Sequence, residues 1–187
     1  MCKKIAAIGG DMRMVYLAEM LAKANKAYTF GHEIIDVKEK QENNLFNNNA
    51  KIIDIKAIQT DSVKQAINKT EIIIAPIPFS KDGETVYMKF SKNKVLIEEL
   101  MYYCKGKTLV AGAVQEDVYK IAKEKDIKII DIMKNESLTI LNTIATAEGT
   151  VEIAIKRTEK TIHNSEVLIL GFGRVGKVVA QKFDGLS

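Results

Sequence analysis

At 187 residues the chain is long enough for one domain with a real core, or for one domain and part of a second. Its composition, 47% hydrophobic and 28% charged with a net charge of +4, is that of an ordinary globular protein and not of a disordered or fibrous one. Lysines are spread along the whole chain, often beside Glu or Asp, and no basic block is interleaved with aromatics. That pattern reads as a solvated surface and not as a nucleic-acid patch. No run of 18 apolar residues occurs, so no membrane-spanning helix is expected. Met1-Cys2-Lys3-Lys4-Ile5 is basic, but the apolar stretch behind it is short and leads straight into Gly9-Gly10-Asp11. It reads as a strand and not as a signal peptide. Cys2 and Cys104 cannot make a disulfide framework, so the cytoplasm is the natural compartment.

In chain order, short β-branched runs alternate with amphipathic stretches. Strands are predicted at 5–8, 27–30, 52–55, 71–75, 108–111, 127–130 and 167–170. Helices are predicted at 13–24, from a cap at Thr60 or Asp61 to about 68, at 94–103, at 114–125 and over 136–162. Residues 38–49 are polar and Asn-rich and read as a loop. Residues 83–90 alternate as in a hairpin arm. Strand–helix–strand alternation favours an α/β fold, a three-layer parallel sheet covered by helices on both faces. The helix over 136–162 clusters Ile140, Ile144, Ala147, Val151, Ala154 and Ile155 on one side, and its length suits a connector between domains.

The clearest chemical motif is Gly171-Phe172-Gly173-Arg174-Val175-Gly176. A lone G-x-G-x-x-G is weak, but this one follows the apolar run Val167-Leu168-Ile169-Leu170 and precedes a helical segment, the context a dinucleotide-binding turn needs. Gly171 allows the tight turn, Gly173 lets the backbone approach a pyrophosphate, and Gly176 lets helix and strand pack closely. The helix N-terminus offers free N–H groups and a positive dipole end to the phosphates. The residue that reads the ribose lies about 20 residues further on, past Ser187, so NAD and NADP are not distinguished.

Three weaker signals follow. Gly9-Gly10-Asp11-Met12-Arg13 lies after the first strand. It lacks a third glycine, but a strand end and a helix N-terminus suit an anionic group, and Arg13 is able to grip a carboxylate with two parallel hydrogen bonds. The alternative is that Asp11 caps the helix and Arg13 is solvated. Pro76-Ile77-Pro78 sits at a strand's C-terminal end, the edge where open α/β sheets bind ligands, or is simply a rigid turn. Asn142, Thr146, Gly149 and Thr150 give the long helix a small polar face, with Glu148 on the flank of the apolar face, where partial burial is expected. His32 and His163 have no second ligand at metal spacing and read as surface residues, so no metal site is predicted. Cys104 reads as core or edge.

Taken together, Ile8-Gly9-Gly10-Asp11 with Arg13, Pro76-x-Pro78, Asn142-x-x-x-Thr146-Ala147-Glu148-Gly149, Thr161-Ile162-His163 and Gly171–Gly176 resemble the A subunit of bacterial dipicolinate synthase. The resemblance covers essentially the whole chain and departs from the family pattern at Ala145 and Asn164. It implies an N-terminal flavodoxin-like domain over 1–135, a linker helix over 136–164, and the start of an incomplete NAD(P)-binding Rossmann domain over 165–187. It also implies a longer, sporulation-linked enzyme of the mother cell, of which this chain is a truncated form, inactive alone. That enzyme oxidises dihydro- or hydroxytetrahydro-dipicolinate to dipicolinate, and its partner is the dipicolinate synthase B subunit.

On that reading, Gly10, Asp11, Arg13, Pro76, Pro78, Asn142, Thr143 and Thr146 contact a ring dicarboxylate. Gly171, Phe172, Gly173, Arg174, Val175 and Gly176 hold NADP or NAD, and Glu148 is the candidate acid–base group. Two alternatives stay open. One is a relative of 2-hydroxyacid or alanine dehydrogenases, for which only His32 and His163 are at hand as acid–base groups. The other is a non-catalytic docking or ligand-binding module. An unpaired 167–170 strand leaves a homo-oligomer open as well.

Overall fold

The computed structural model describes residues 2–32 and 56–186. The polar loop expected at 38–49 and the strand at 52–55 lie outside them. The chain divides into two compact units, Met1–Asp131 and Ile132–Ser187.

The first unit is a six-stranded, wholly parallel sheet with helices on both faces. Its elements are β1 (Lys4–Ile8), α1 (Met12–Ala22), β2 (Lys26–Phe30), β3 (Ile58–Gln59), α2 (Val63–Asn68), β4 (Ile72–Ile74), α3 (Ile97–Tyr103), β5 (Thr108–Ala111), α4 (Glu116–Glu124) and β6 (Lys128–Asp131). The strand order is β3-β2-β1-β4-β5-β6, that of the doubly wound dinucleotide fold. Without the two-residue edge strand β3, the remaining five strands follow the flavodoxin order. The register pairs Ile5 with both Ala27 and Ile72, and Ile72 with Thr108. The chain winds outward from β1 in one direction and from β4 in the other. The crevice above the β1/β4 boundary is therefore the switch point of the sheet.

Alternation along the strands sorts the core into two layers. Ala6 and Ile8 of β1, Tyr28 and Phe30 of β2, Ile73 of β4 and Leu109 of β5 face α2, α3 and α4. Ile73 and Leu109 are fully buried, each stabilising the fold by about 1.5–3 kcal/mol. On the opposite face Ala7, Ala27 and Ala57 pack with Met14 and Ala18 of α1. With so many alanines at that contact, α1 lies close to the sheet.

Local details depart from expectation for identifiable reasons. Ser62, not Thr60 or Asp61, caps α2 by accepting from the Gln65 N–H at 3.2 Å, because the Thr60 hydroxyl donates to the Thr29 and Ser62 carbonyls. Lys107 Nζ closes the other end of α2 on the Ile67 and Thr70 carbonyls, where a cation suits the exposed C=O groups. α3 begins at Ile97 and not at 94, since Val95 accepts from the Val86 N–H and Leu96 bridges to Thr85. The 83–90 hairpin arm does not form. That segment makes only isolated bridges, Gly10–Met88 and Thr85–Leu96.

The second unit holds a 3-10 turn (Ile132–Lys134), α5 (Glu136–Arg157) and α6 (Arg174–Asp184). The expected 136–162 helix stops at Arg157, where Thr158 turns extended and its hydroxyl donates to the Ala154 carbonyl. Ala147 of α5 packs against Val179 and Phe183 of α6, with Val151, Ala154 and Ile169 around them. Ile140, Ile144 and Ile155 of the expected apolar stripe are exposed instead. Val167–Leu170 is not a strand. It has no ladder partner among the described residues, and Leu168 and Leu170 are 85% and 90% exposed.

Candidate functional site

The predicted site residues fall in two places, one in each unit. In the first, the turn after β1 opens the switch-point crevice. Gly9 and Gly10 have φ of +60° and +92°, a backbone that only glycine adopts without strain. A Cβ on Gly10 would lie 2.3 Å from Met14 Cγ and 3.2 Å from Pro76 Cβ. The Gly9–Gly10 turn and the Pro76–Pro78 turn therefore meet, as expected for loops at a switch point. Pro76 is buried and its carbonyl accepts from the Gly112 N–H; Pro78 follows a cis bond to Ile77 and is half-buried.

Asp11 caps α1, its Oδ1 accepting from the Arg13 N–H at 3.1 Å. The Arg13 guanidinium donates to the same carboxylate from Nε at 3.0 Å and from Nη2 at 2.8 Å, and Nη2 also donates to the Ile77 carbonyl at 2.8 Å. The expected two-point grip on a carboxylate is thus made, but on Asp11. That hydrogen bond holds the Asp11 carboxyl below the usual aspartate range and raises the Arg13 guanidinium in turn. Of the alternative reading of this motif, the cap on α1 forms, while Arg13 is 58% exposed but paired and not simply solvated. Arg13 Nη1 has no protein partner among the described residues.

A strap over residues 84–90 completes the crevice, and polar alternation is its only trace in the sequence. Gly10 N–H donates to the Tyr87 carbonyl at 2.7 Å, and Lys89 N–H donates to the Gly10 carbonyl at 2.9 Å. Met88 fills the space beside Gly9, where a Cβ would meet Met88 Cγ at 2.7 Å. The strap is anchored by Asp82, whose carboxylate takes the Ser80 hydroxyl, the Glu84 and Thr85 N–H groups and the Thr85 hydroxyl. Those bonds, led by the one from the Thr85 hydroxyl, hold its carboxyl far below the usual range.

His32, expected at the surface, is buried. Its Nε2 donates to the Gly9 carbonyl at 2.7 Å, which leaves Nδ1 to accept from the Thr29 hydroxyl. It braces the glycine turn from behind. Its two-residue distance from Phe30 at the β2 end is the only hint in the sequence. Cys104 lies in the core, as expected, and burial pushes its thiol up to about 12.

In the second unit the Gly171–Gly176 turn has the geometry its motif calls for. Gly171 has φ +99°. A Cβ on Gly176 would lie 2.1 Å from the Gly171 carbonyl oxygen, so the third glycine is required by the packing of turn on helix. A Cβ on Gly173 would meet nothing within 4 Å, and Gly173 is the N-cap of α6 with no side chain closing it. The start of α6 is thus left uncapped by any side chain, beside a backbone without Cβ. Phe172 is 70% exposed and Val175 42%. Arg174 is held by Glu136 at 2.9 Å, an exposed pair worth about 0–1 kcal/mol.

On α5, Asn142 and Thr146 are exposed, and the Thr146 hydroxyl donates to the Asn142 carbonyl at 3.4 Å. Thr143 is buried and its hydroxyl donates to the Ile140 carbonyl at 2.6 Å. Glu148 is not partly buried as expected. At the α5/α6 contact its long side chain reaches outward and pairs with Lys182 Nζ at 2.8 Å. Among the described residues no helix is long and apolar enough to cross a membrane.

Comparison with known proteins gives a consistent match. Residues 4–133 match the family profile of the N-terminal domain of the dipicolinate synthase A subunit. The dipicolinate synthase A subunit of Bacillus subtilis is 29% identical over 98% of this chain and 58% of its own length. The crystal structure of the dipicolinate synthase A subunit from Bacillus halodurans superposes with a TM-score of 0.75 at 26% identity, covering 98% of this chain and 59% of that one. The crystal structure of its Bacillus subtilis counterpart gives 0.68 at 25% identity, over 100% and 58% of the two chains. This chain thus spans under two thirds of the length of the relatives it matches. The Rossmann-like parallel sheet and a profile match over most of the chain agree, and the chain belongs to the family of dipicolinate synthase A subunits.

Proposed function

We propose that this chain serves a nicotinamide-dependent oxidoreductase, of the relatives' full length, that oxidises dihydro- or hydroxytetrahydro-dipicolinate to dipicolinate during sporulation. The dipicolinate synthase B subunit is the partner, and the mother-cell cytoplasm is the site of action. The observation that carries the cofactor half of this reading is the contrast within one turn: Gly176 is packed against the Gly171 carbonyl while Gly173 faces open space.

The nicotinamide, when bound, supplies the hydride acceptor, NADP or NAD. Oxidation of the dihydro substrate would give up one hydride equivalent and one proton, and the hydroxytetrahydro form would also lose water. This chain's residues bind and orient. The N–H groups at the start of α6 and its dipole hold the pyrophosphate, and Gly173 leaves room for it. Arg13, through its unpartnered Nη1, offers a cation to a substrate carboxylate at the switch point, beside Gly10, Pro76 and Pro78. Asn142 and Thr146 present polar groups from α5, whereas Thr143 and Glu148 are spent on structural bonds.

The test is Gly173→Ala in the full-length enzyme. A methyl group at this position has nothing to collide with in the protein, so the melting temperature stays put. Nicotinamide affinity falls tenfold or more, about 1.4 kcal/mol. Unchanged affinity removes the turn from the cofactor site. A dehydrogenase relying on His32 is less favoured, because both of its ring nitrogens are hydrogen-bonded.

A further inference from the structure

The strap does more than fill space. In a dinucleotide fold the glycine turn after the first strand leaves its backbone open to a pyrophosphate. Here the same strand order is present, but Gly10 N–H and C=O are both taken by the strap, and Met88 occupies the space beside Gly9. What the strap brings in return is a set of donors. Tyr87 has no hydroxyl partner among the described residues. Lys81 Nζ lies 3.9 Å from the Tyr87 ring centroid and steadies the ring by a cation–π contact. Lys89 follows directly, its Nζ 5.4 Å from the Phe90 ring centroid.

Asp11, Asp82 and Glu84 balance Arg13, Lys81 and Lys89 in number, but neither lysine has an ion-pair partner among the described residues. What the strap offers is therefore a set of hydrogen-bond donors: an unpartnered phenol, the Lys89 ammonium and the free Nη1 of Arg13. The two backbone bonds to Gly10, at 2.7 and 2.9 Å, set Tyr87 and Lys89 against the glycine turn that leads into Asp11 and Arg13.

We infer that the switch-point crevice of the first unit excludes a dinucleotide and binds a carboxylate of a ring dicarboxylate through Tyr87, Lys89 and the Nη1 edge of Arg13. The identity of the ring rests on the oxidoreductase reading; the anion site does not. Tyr87 and Lys89 are the specificity-determining residues, and the Asp11 carboxylate fixes Arg13 so that only one edge of its fork is on offer.

The test is calorimetric titration of this chain with dipicolinate, with inorganic phosphate and with NADP, in wild type, Lys89→Gln and Tyr87→Phe. Both substitutions leave the strap's backbone bonds in place, and the melting temperature checks this. Wild type binds dipicolinate, each variant weakens it about tenfold, as for loss of one hydrogen bond to a charged group, and NADP gives no heat from the crevice. No dipicolinate binding by wild type, unchanged affinity in both variants, or phosphate bound as tightly as dipicolinate overturns the inference. Failure of the function is separable. Dipicolinate bound at Tyr87 and Lys89, with no oxidation by the complete two-subunit enzyme, keeps the site and removes the oxidoreductase reading.

Discussion

Single residues at the two glycine turns decide what each can do, and substitutions there separate folding from binding. Asp11 has a double task, as N-cap of α1 and as the partner of Arg13. Asp11→Ala should cost about 1 kcal/mol from the cap. Because Arg13 lowers the Asp11 carboxyl in the folded chain, the contribution is fully present above the ordinary aspartate value near pH 4 and fades as pH falls through the lower folded value. Urea unfolding of both proteins at a series of pH values should show the gap closing below about pH 4; a gap constant down to acid contradicts the pairing. Two glycines in the second unit have opposite expectations. Gly176→Ala forces a Cβ into the Gly171 carbonyl and should destabilise the unit by at least about 1–3 kcal/mol. Gly149→Ala, in the middle of α5 with nothing within 4 Å, should stabilise the helix by about 0.5–1 kcal/mol. Thermal unfolding followed by circular dichroism reads both signs.

Among elements, those with strong apolar or amphipathic patterns are legible in the sequence, and those defined by partners are not. β1, β2, β4, β5 and β6 are buried parallel strands and therefore read as apolar runs. Their positions follow expectation within a residue or so. The strap escapes sequence reasoning because alternation at 83–90 resembles a strand, while its actual bonds go to Gly10, Phe79 and Val95. Val167–Leu170 misleads for the converse reason: its composition is that of a strand, but a strand exists only through its neighbour. The β5–α4 loop shows a similar long-range dependence. Asp131 at the end of β6 accepts from the Ala113 N–H at 3.2 Å and the Val114 N–H at 3.1 Å, and Ala113 sits at φ +55°. Asp131→Ala should leave both amides without their acceptor and cost about 1–3 kcal/mol. Hydrogen exchange at Ala113 and Val114 should speed up in the variant; unchanged protection of both means another group holds the loop.

For the molecule as a whole, the family and the glycine turn are legible because their motifs are local, whereas the switch-point site is only half legible. Arg13 stands out by its place after Gly9-Gly10, but that Tyr87 and Lys89 are bonded to Gly10 depends on the path of the strap. The core of the first unit supplies an independent check on the fold. Cys104 is wholly buried with its thiol pushed up to about 12, and Cys2 is exposed. At mildly alkaline pH a thiol reagent should modify Cys2 at once and reach Cys104 only after denaturation; prompt reaction of both contradicts the core as described. We propose that the Gly171–Gly176 turn serves an oxidation yielding dipicolinate. The most direct measurement uses the full-length protein with the B subunit, supplied with the cyclic dihydro- or hydroxytetrahydro-dipicolinate substrate and NADP or NAD. Dipicolinate and reduced nicotinamide are expected to form one for one. Dipicolinate formed without nicotinamide reduction, or no turnover by an assembled and folded complex, contradicts the proposal.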